Sequence, residues 1–187
     1  MTMNFLNIIN SMSVDEMKQR LAEYMSADSR LMPSLVAVEV RLSGNNTRTR
    51  YDVLLIDELG NETPVKFRDR YSRLVYIYTL MHPKGYQRRQ AAANNYHALC
   101  NLYSLLYFKD SNALLKTVES TDKDHPGHFM NQYIAQARRA VLQASPLACQ
   151  FTIDRPQSHN GKVLIPFAAA GGTVILDSSL NNKMFNL

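Results

Sequence analysis

Apolar residues recur along this chain with two periods, and each change of period marks an element. Ser13 and Glu16 have the S-x-x-E spacing of a helix-capping box, and Met17, Leu21, Tyr24 and Met25 follow at helical intervals. A helix is therefore expected over 14–25, ended before Pro33. From Leu35 to Leu42 the period drops to two: Val36, Val38, Val40 and Leu42 alternate with Ala37, Glu39 and Arg41, which predicts a half-buried strand. Ser43 to Asn46 supply turn residues, Tyr51 to Asp57 a second strand, and Glu58 to Asn61 another turn before a short strand over Pro64 to Phe67. The three strands make an antiparallel meander.

The helical period returns at Arg70. Tyr71, Leu74, Val75, Tyr78 and Met81 share one stripe, closed by His82-Pro83-Lys84-Gly85. A second helix is expected over 88–108, with Tyr96, Leu99, Cys100, Tyr103, Leu106 and Tyr107 inward, and one or two further turns over Asn112 to Glu119. After a polar loop from Ser120 to Gly127, a helix from His128 to Gln143 buries Phe129 or Met130, together with Ile134, Ala137 and Val141, and stops at Ser145-Pro146. Strand-like runs then cover Cys149 to Ile153, Val163 to Phe167 and Thr173 to Leu176, with Ala168 to Gly172 as a tight reversal between the last two. The tail from Asp177 to Leu187 is expected to fray or form a short turn. The fold class is α+β, with an appendage at 1–33 and a main domain at 34–187 divided into a meander (34–67), helices (68–145) and a C-terminal hairpin (149–177).

Charge changes this picture by its placement. The 187-residue chain carries a net +5, yet residues 1–64 sum to −3 and residues 65–187 to +8. A positive C-terminal part raises the local concentration of polyanions, nucleic acid first among them. Cys100 and Cys149 have no metal-ligand spacing and are expected to be reduced, as in a cytoplasmic protein. No apolar run approaches the ~18 residues of a membrane span, and the first residues lack the form of a secretory signal. There is no phosphate-binding glycine loop after a strand, no G-x-S-x-G elbow and no marked nucleophile, so neither an enzyme nor a cofactor is expected. Asp122, Asp124, His125 and His128 crowd one loop without matching a metal-ligand set. The helix-borne tyrosines Tyr71, Tyr76, Tyr78, Tyr96, Tyr103 and Tyr107 read as packing residues rather than a stacking platform for single strands.

The candidate chemistry lies on the last helix. Asn131, Gln132, Ala135, Gln136, Arg138 and Arg139 face away from its apolar stripe, and Asn, Gln and Arg are the side chains that make bidentate contacts to base edges. Lys84, Arg88, Arg89 and Lys162 are candidate phosphate contacts. Taken in order, the elements and the run Tyr133 to Val141, with Arg138 where the family has its arginine, resemble the effector domain of OmpR/PhoB-type winged-helix transcription regulators. That resemblance implies a three-helix winged-helix-like domain, helix 128–143 in the major groove of double-stranded DNA, and Val163 to Leu176 as a β-hairpin wing. It departs from the family in an uncharged wing tip, Phe167 to Thr173, a long loop before the last helix, and a short acidic N-terminal region in place of a receiver domain. The alternative is a protein-interaction module on the same scaffold, with the acidic N-terminal region and the uncharged hairpin forming a homodimer or partner surface.

Overall fold

A computed structural model describes residues 19, 33–42, 51–87, 96–107, 109–123, 127–154 and 162–180. The chain divides into two units, Met1–Ser34 and Leu35–Leu187, and every element below belongs to the second. The helix expected over 14–25 lies outside the described residues, apart from Gln19, which is helical.

Strands β1 (Leu35–Leu42), β2 (Tyr51–Asp57) and β3 (Glu62–Pro64) form the expected antiparallel meander. Val38, Val40, Val53 and Leu55 point inward and are sealed from water, as the alternation requires. The third strand begins two residues earlier than its apolar residues suggest, because Pro64, which has no N–H to give a ladder, is tolerated at the sheet edge opposite Leu54. The β2–β3 turn is built by Asp57: its Oδ1 accepts from the Leu59 and Asn61 N–H groups at 2.9 and 2.8 Å, and its Oδ2 from Asn61 Nδ2 at 2.9 Å. On the outer face Arg41 donates to both oxygens of Glu39 and of Glu62 at 2.6–3.0 Å. Since Leu54 stands between Glu39 and Pro64 in the register, the Arg41 side chain must reach across β2 to meet Glu62, and Leu54 is only 8% exposed.

Helix α1 (Arg70–Leu80) is capped by Asp69, whose Oδ1 accepts from Tyr71 N and Ser72 N, both at 2.8 Å. It is buried on nearly every side. Ser72 and Thr79 survive inside the core because their hydroxyls donate to the Asp69 and Val75 carbonyls. The Tyr76 hydroxyl donates to Phe151 O at 2.9 Å. Gly85, at φ +72°, turns the chain into β4 (Tyr86–Gln87). Helices α2 (Tyr96–Tyr107), α3 (Asn112–Asp122) and α4 (His128–Ala144) follow. The last spans almost the expected residues and buries Phe129 as well as Met130. No helix among the described residues is long and apolar enough to cross a membrane.

The C-terminal segment departs from expectation. Cys149 to Phe151, expected inside a strand, belong to a 3-10 helix (Ala148–Phe151) set up by the Ser145-Pro146 turn, with Ala148 N donating to Ser145 O. Strand β5 (Lys162–Val163) pairs not with the following strand but with β4, while Pro166 opens a single helical turn, α5 (Pro166–Ala169). Strand β6 (Thr173–Leu176) then runs parallel to β1, which gives the sheet the order β3-β2-β1-β6. The hairpin wing expected over 149–177 is therefore not formed. The glycines serve a helix end instead of a two-strand reversal: Gly171 adopts φ +83°, Gly172 N donates to Phe167 O, and a Cβ on Gly172 would lie 2.5 Å from the Phe167 ring.

Two outcomes follow from this architecture. Tyr76→Phe leaves the Phe151 carbonyl unpaired in the core and should cost about 1–3 kcal/mol in urea unfolding. Asp57, Glu62 and Asp177 all titrate below their ordinary values, through hydrogen bonds from Asn61, Arg41 and Ser179 respectively. A lowered folded-state pKa gives stabilisation that is complete above the unfolded-state value and lost as pH falls through the folded one. The urea midpoint should thus hold steady from about pH 7 to 5 and drop towards about pH 3, and Asp57→Asn should weaken that dependence.

Candidate nucleic-acid interface

Helix α4 packs on α1, on α3 and on the 3-10 helix, which leaves one stripe facing out. His128, Asn131, Gln132, Ala135, Arg139 and Gln143 are exposed, at the spacing of one helical face. Gln136 and Arg138 are half-buried and border the stripe on opposite sides. The helix contains no Asp or Glu, so nothing of its own repels a polyanion. Of the two arginines expected to act together, only Arg139 is fully displayed.

The N-terminus of α4 is already occupied by a carboxylate. Gly127 begins the helix in the left-handed region at φ +85°, and Asp122, at the end of α3, accepts from Gly127 N at 3.0 Å and Phe129 N at 2.7 Å. A negative side chain here complements the helix dipole and takes the N–H groups that a phosphate would use. This residue was legible only as part of a polar loop, because its partners come from tertiary placement of α3 against α4. Asp124 and His125 of that loop lie outside the described residues; among those described, no three His, Cys, Asp or Glu side chains are placed to hold a metal ion.

The other expected contacts fall elsewhere. Lys84 is exposed in the turn between α1 and β4, and Lys162 is exposed on β5 opposite Gln87 of β4. Arg88 and Arg89, next along from Gln87, lie outside the described residues. In the expected wing tip the Phe167 ring stacks on Phe151 at 4.1 Å and Ala168 is buried, while Ala169, Ala170, Gly171 and Thr173 are exposed.

Behind the stripe, α4 meets an aromatic cluster. The Tyr71 ring lies 5.7 Å from Phe129, 5.3 Å from Tyr133 and 6.0 Å from Tyr103. Tyr71, Tyr76, Tyr78 and Tyr103 are all buried, while the Tyr96 side chain lies outside the described residues. Arg70 lies over this cluster, its guanidinium carbon 4.8 Å from the Tyr71 ring centre and 5.6 Å from that of Tyr103, and donates to the Tyr71 hydroxyl at 2.9 Å. Tyr107 donates its hydroxyl to Arg70 O at 2.7 Å. Burial disfavours the Arg70 charge, but the Tyr71 hydrogen bond and the neighbouring phenols outweigh it and raise the pKa. Burial alone pushes the Tyr78 phenol up to about 12.

Comparison with models of known protein families, with curated proteins and with solved structures finds no match. The geometry of α4 and its surroundings is thus the basis for a functional reading. One structural outcome is independent of that reading: Asp122→Ala should cost about 1 kcal/mol. The loss should appear as faster amide exchange at Gly127 and Phe129.

Proposed function

We propose that this chain is a non-catalytic, duplex-DNA-binding module, with α4 as its contact helix and transcriptional regulation as its role. The observation that carries this reading is the outward stripe of α4, whose Asn131, Gln132 and Arg139 are exposed on a helix without a single acidic residue. Amide side chains discriminate adenine edges and guanidinium groups guanine edges in the major groove. A hairpin wing, which β5 and β6 do not form, is not needed for this. Lys84 and Lys162, and in sequence Arg88 and Arg89, add cationic contacts away from the bases.

The reading is tested by anisotropy titration of mixed-sequence duplex DNA at several salt concentrations. Binding should weaken steeply with salt. Arg139→Ala should lower the log-log slope by about one unit, and adding Arg138→Ala should lower it by less than a second unit, since Arg138 is half-buried. Gln132→Ala should leave the slope unchanged and cost about 1–3 kcal/mol of discrimination between sequences.

A second reading, a protein-interaction module using the same helix, is favoured by one feature: the first half of the stripe, Asn131, Gln132 and Ala135, is uncharged. A complex with a protein that is indifferent to salt, with no retention of duplex DNA, decides for it.

A further inference from the structure

Arg70 has no carboxylate partner among the described residues. Its neighbour Asp69 directs its Oδ1 to the Tyr71 and Ser72 N–H groups instead, and among the described residues Arg70 makes no ion pair. Its guanidinium is held in place by the Tyr71 and Tyr103 rings and spends one N–H on the Tyr71 hydroxyl. The remaining donors meet no acceptor among the described residues. A half-buried guanidinium has given up part of its hydration, and ring stacking has already fixed its orientation, so little entropy is left to lose on binding a planar or tetrahedral oxyanion.

The neighbouring sequence is mainly basic. Residues 66–73 read KFRDRYSR, with Lys66 and Arg68 exposed, Arg73 half-buried, and Asp69 as the only acid. The same Tyr71 ring that supports Arg70 touches Phe129 and Tyr133 of α4, which places the fork beside the first two turns of the contact helix. There the helix N-terminus cannot take a phosphate, because Asp122 holds it.

We propose that Arg70, stacked on Tyr71 and Tyr103 and flanked by Lys66 and Arg68, is a phosphate-binding fork that grips the backbone of the nucleic acid alongside α4. This deepens the DNA-binding reading and rests on it for the source of the phosphate. The oxyanion chemistry itself is separable.

Two measurements on the full chain keep the claims apart. The first is the salt dependence of duplex binding for wild type, Arg70→Gln and Arg70→Lys, each checked for an unchanged fold by circular dichroism. Arg70→Gln should lower the log-log slope by about one unit; Arg70→Lys should keep the slope yet weaken binding several-fold, because a point charge replaces the fork. The second follows the Arg70 Nε–H resonance while inorganic phosphate replaces chloride at constant ionic strength, and a selective shift is expected. If wild type binds duplex DNA and both Arg70 variants bind with its slope and affinity, the fork is refuted while the DNA reading stands. If phosphate moves the resonance but no duplex is bound, the oxyanion site is supported and the DNA reading falls. A resonance that responds to an acidic peptide and not to phosphate overturns the phosphate assignment.

Discussion

Helix α1 meets water on almost none of its sides: from Tyr71 to Leu80 every residue except Arg73 is buried. A helix enclosed in this way has no solvated face, so each polar group on it needs a partner within the fold. Ser72 and Thr79 meet that demand locally, Asp69 through its Oδ1 alone, and Tyr76 at long range through the Phe151 carbonyl, whereas Asp69 Oδ2 and the Tyr78 hydroxyl are buried with no hydrogen-bond partner among the described residues. The long-range bond matters most for architecture. It ties the middle of α1 to the segment after α4, and that segment feeds β5 and β6 towards two separate partners, β4 and β1.

From that constraint follows the form of the candidate interface. With α1 enclosed, α4 covers one of its flanks through Phe129, Tyr133, Ala137 and Val141, and the opposite side of α4 is left to solvent. Its polar residues are on display because its apolar ones are needed beneath. The aromatic cluster at this junction holds Arg70 at the border of the same surface, so packing and charge meet at one place. Electrostatics elsewhere is local: Arg41 with Glu39 and Glu62 ties three strands together on the sheet, far in sequence from the basic C-terminal part.

How legible this was depended on the range of the physics involved. Strands β1 and β2, helix α1 and helix α4 were readable because their apolar spacing repeats several times, and because His82 to Gly85 or Ser145-Pro146 marks an end. Short elements were not. Cys149 to Ile153, where apolar and polar residues alternate, and Val163 to Phe167, which is apolar throughout, are segments of only five residues, and a segment of that length is equally at home in a strand, a 3-10 turn or a buried helical turn. Pro166 did carry a usable signal, since proline is favoured in the first turn of a helix. The glycines at 171 and 172 fitted a hairpin as well as a helix end, and only the crowding of Phe167 against Gly172 distinguishes the two.

The sequence by itself determined the secondary elements with long periodicity, the concentration of positive charge after residue 64, and the lack of acid on α4, because these are properties of neighbours along the chain. Tertiary structure alone decided that β6 lies parallel beside β1, that Asp122 occupies the start of α4, that Arg138 is half hidden while Arg139 is not, and that Arg70 makes no ion pair among the described residues. Each of these depends on which surfaces meet across long stretches of chain, and local spacing holds no information about that.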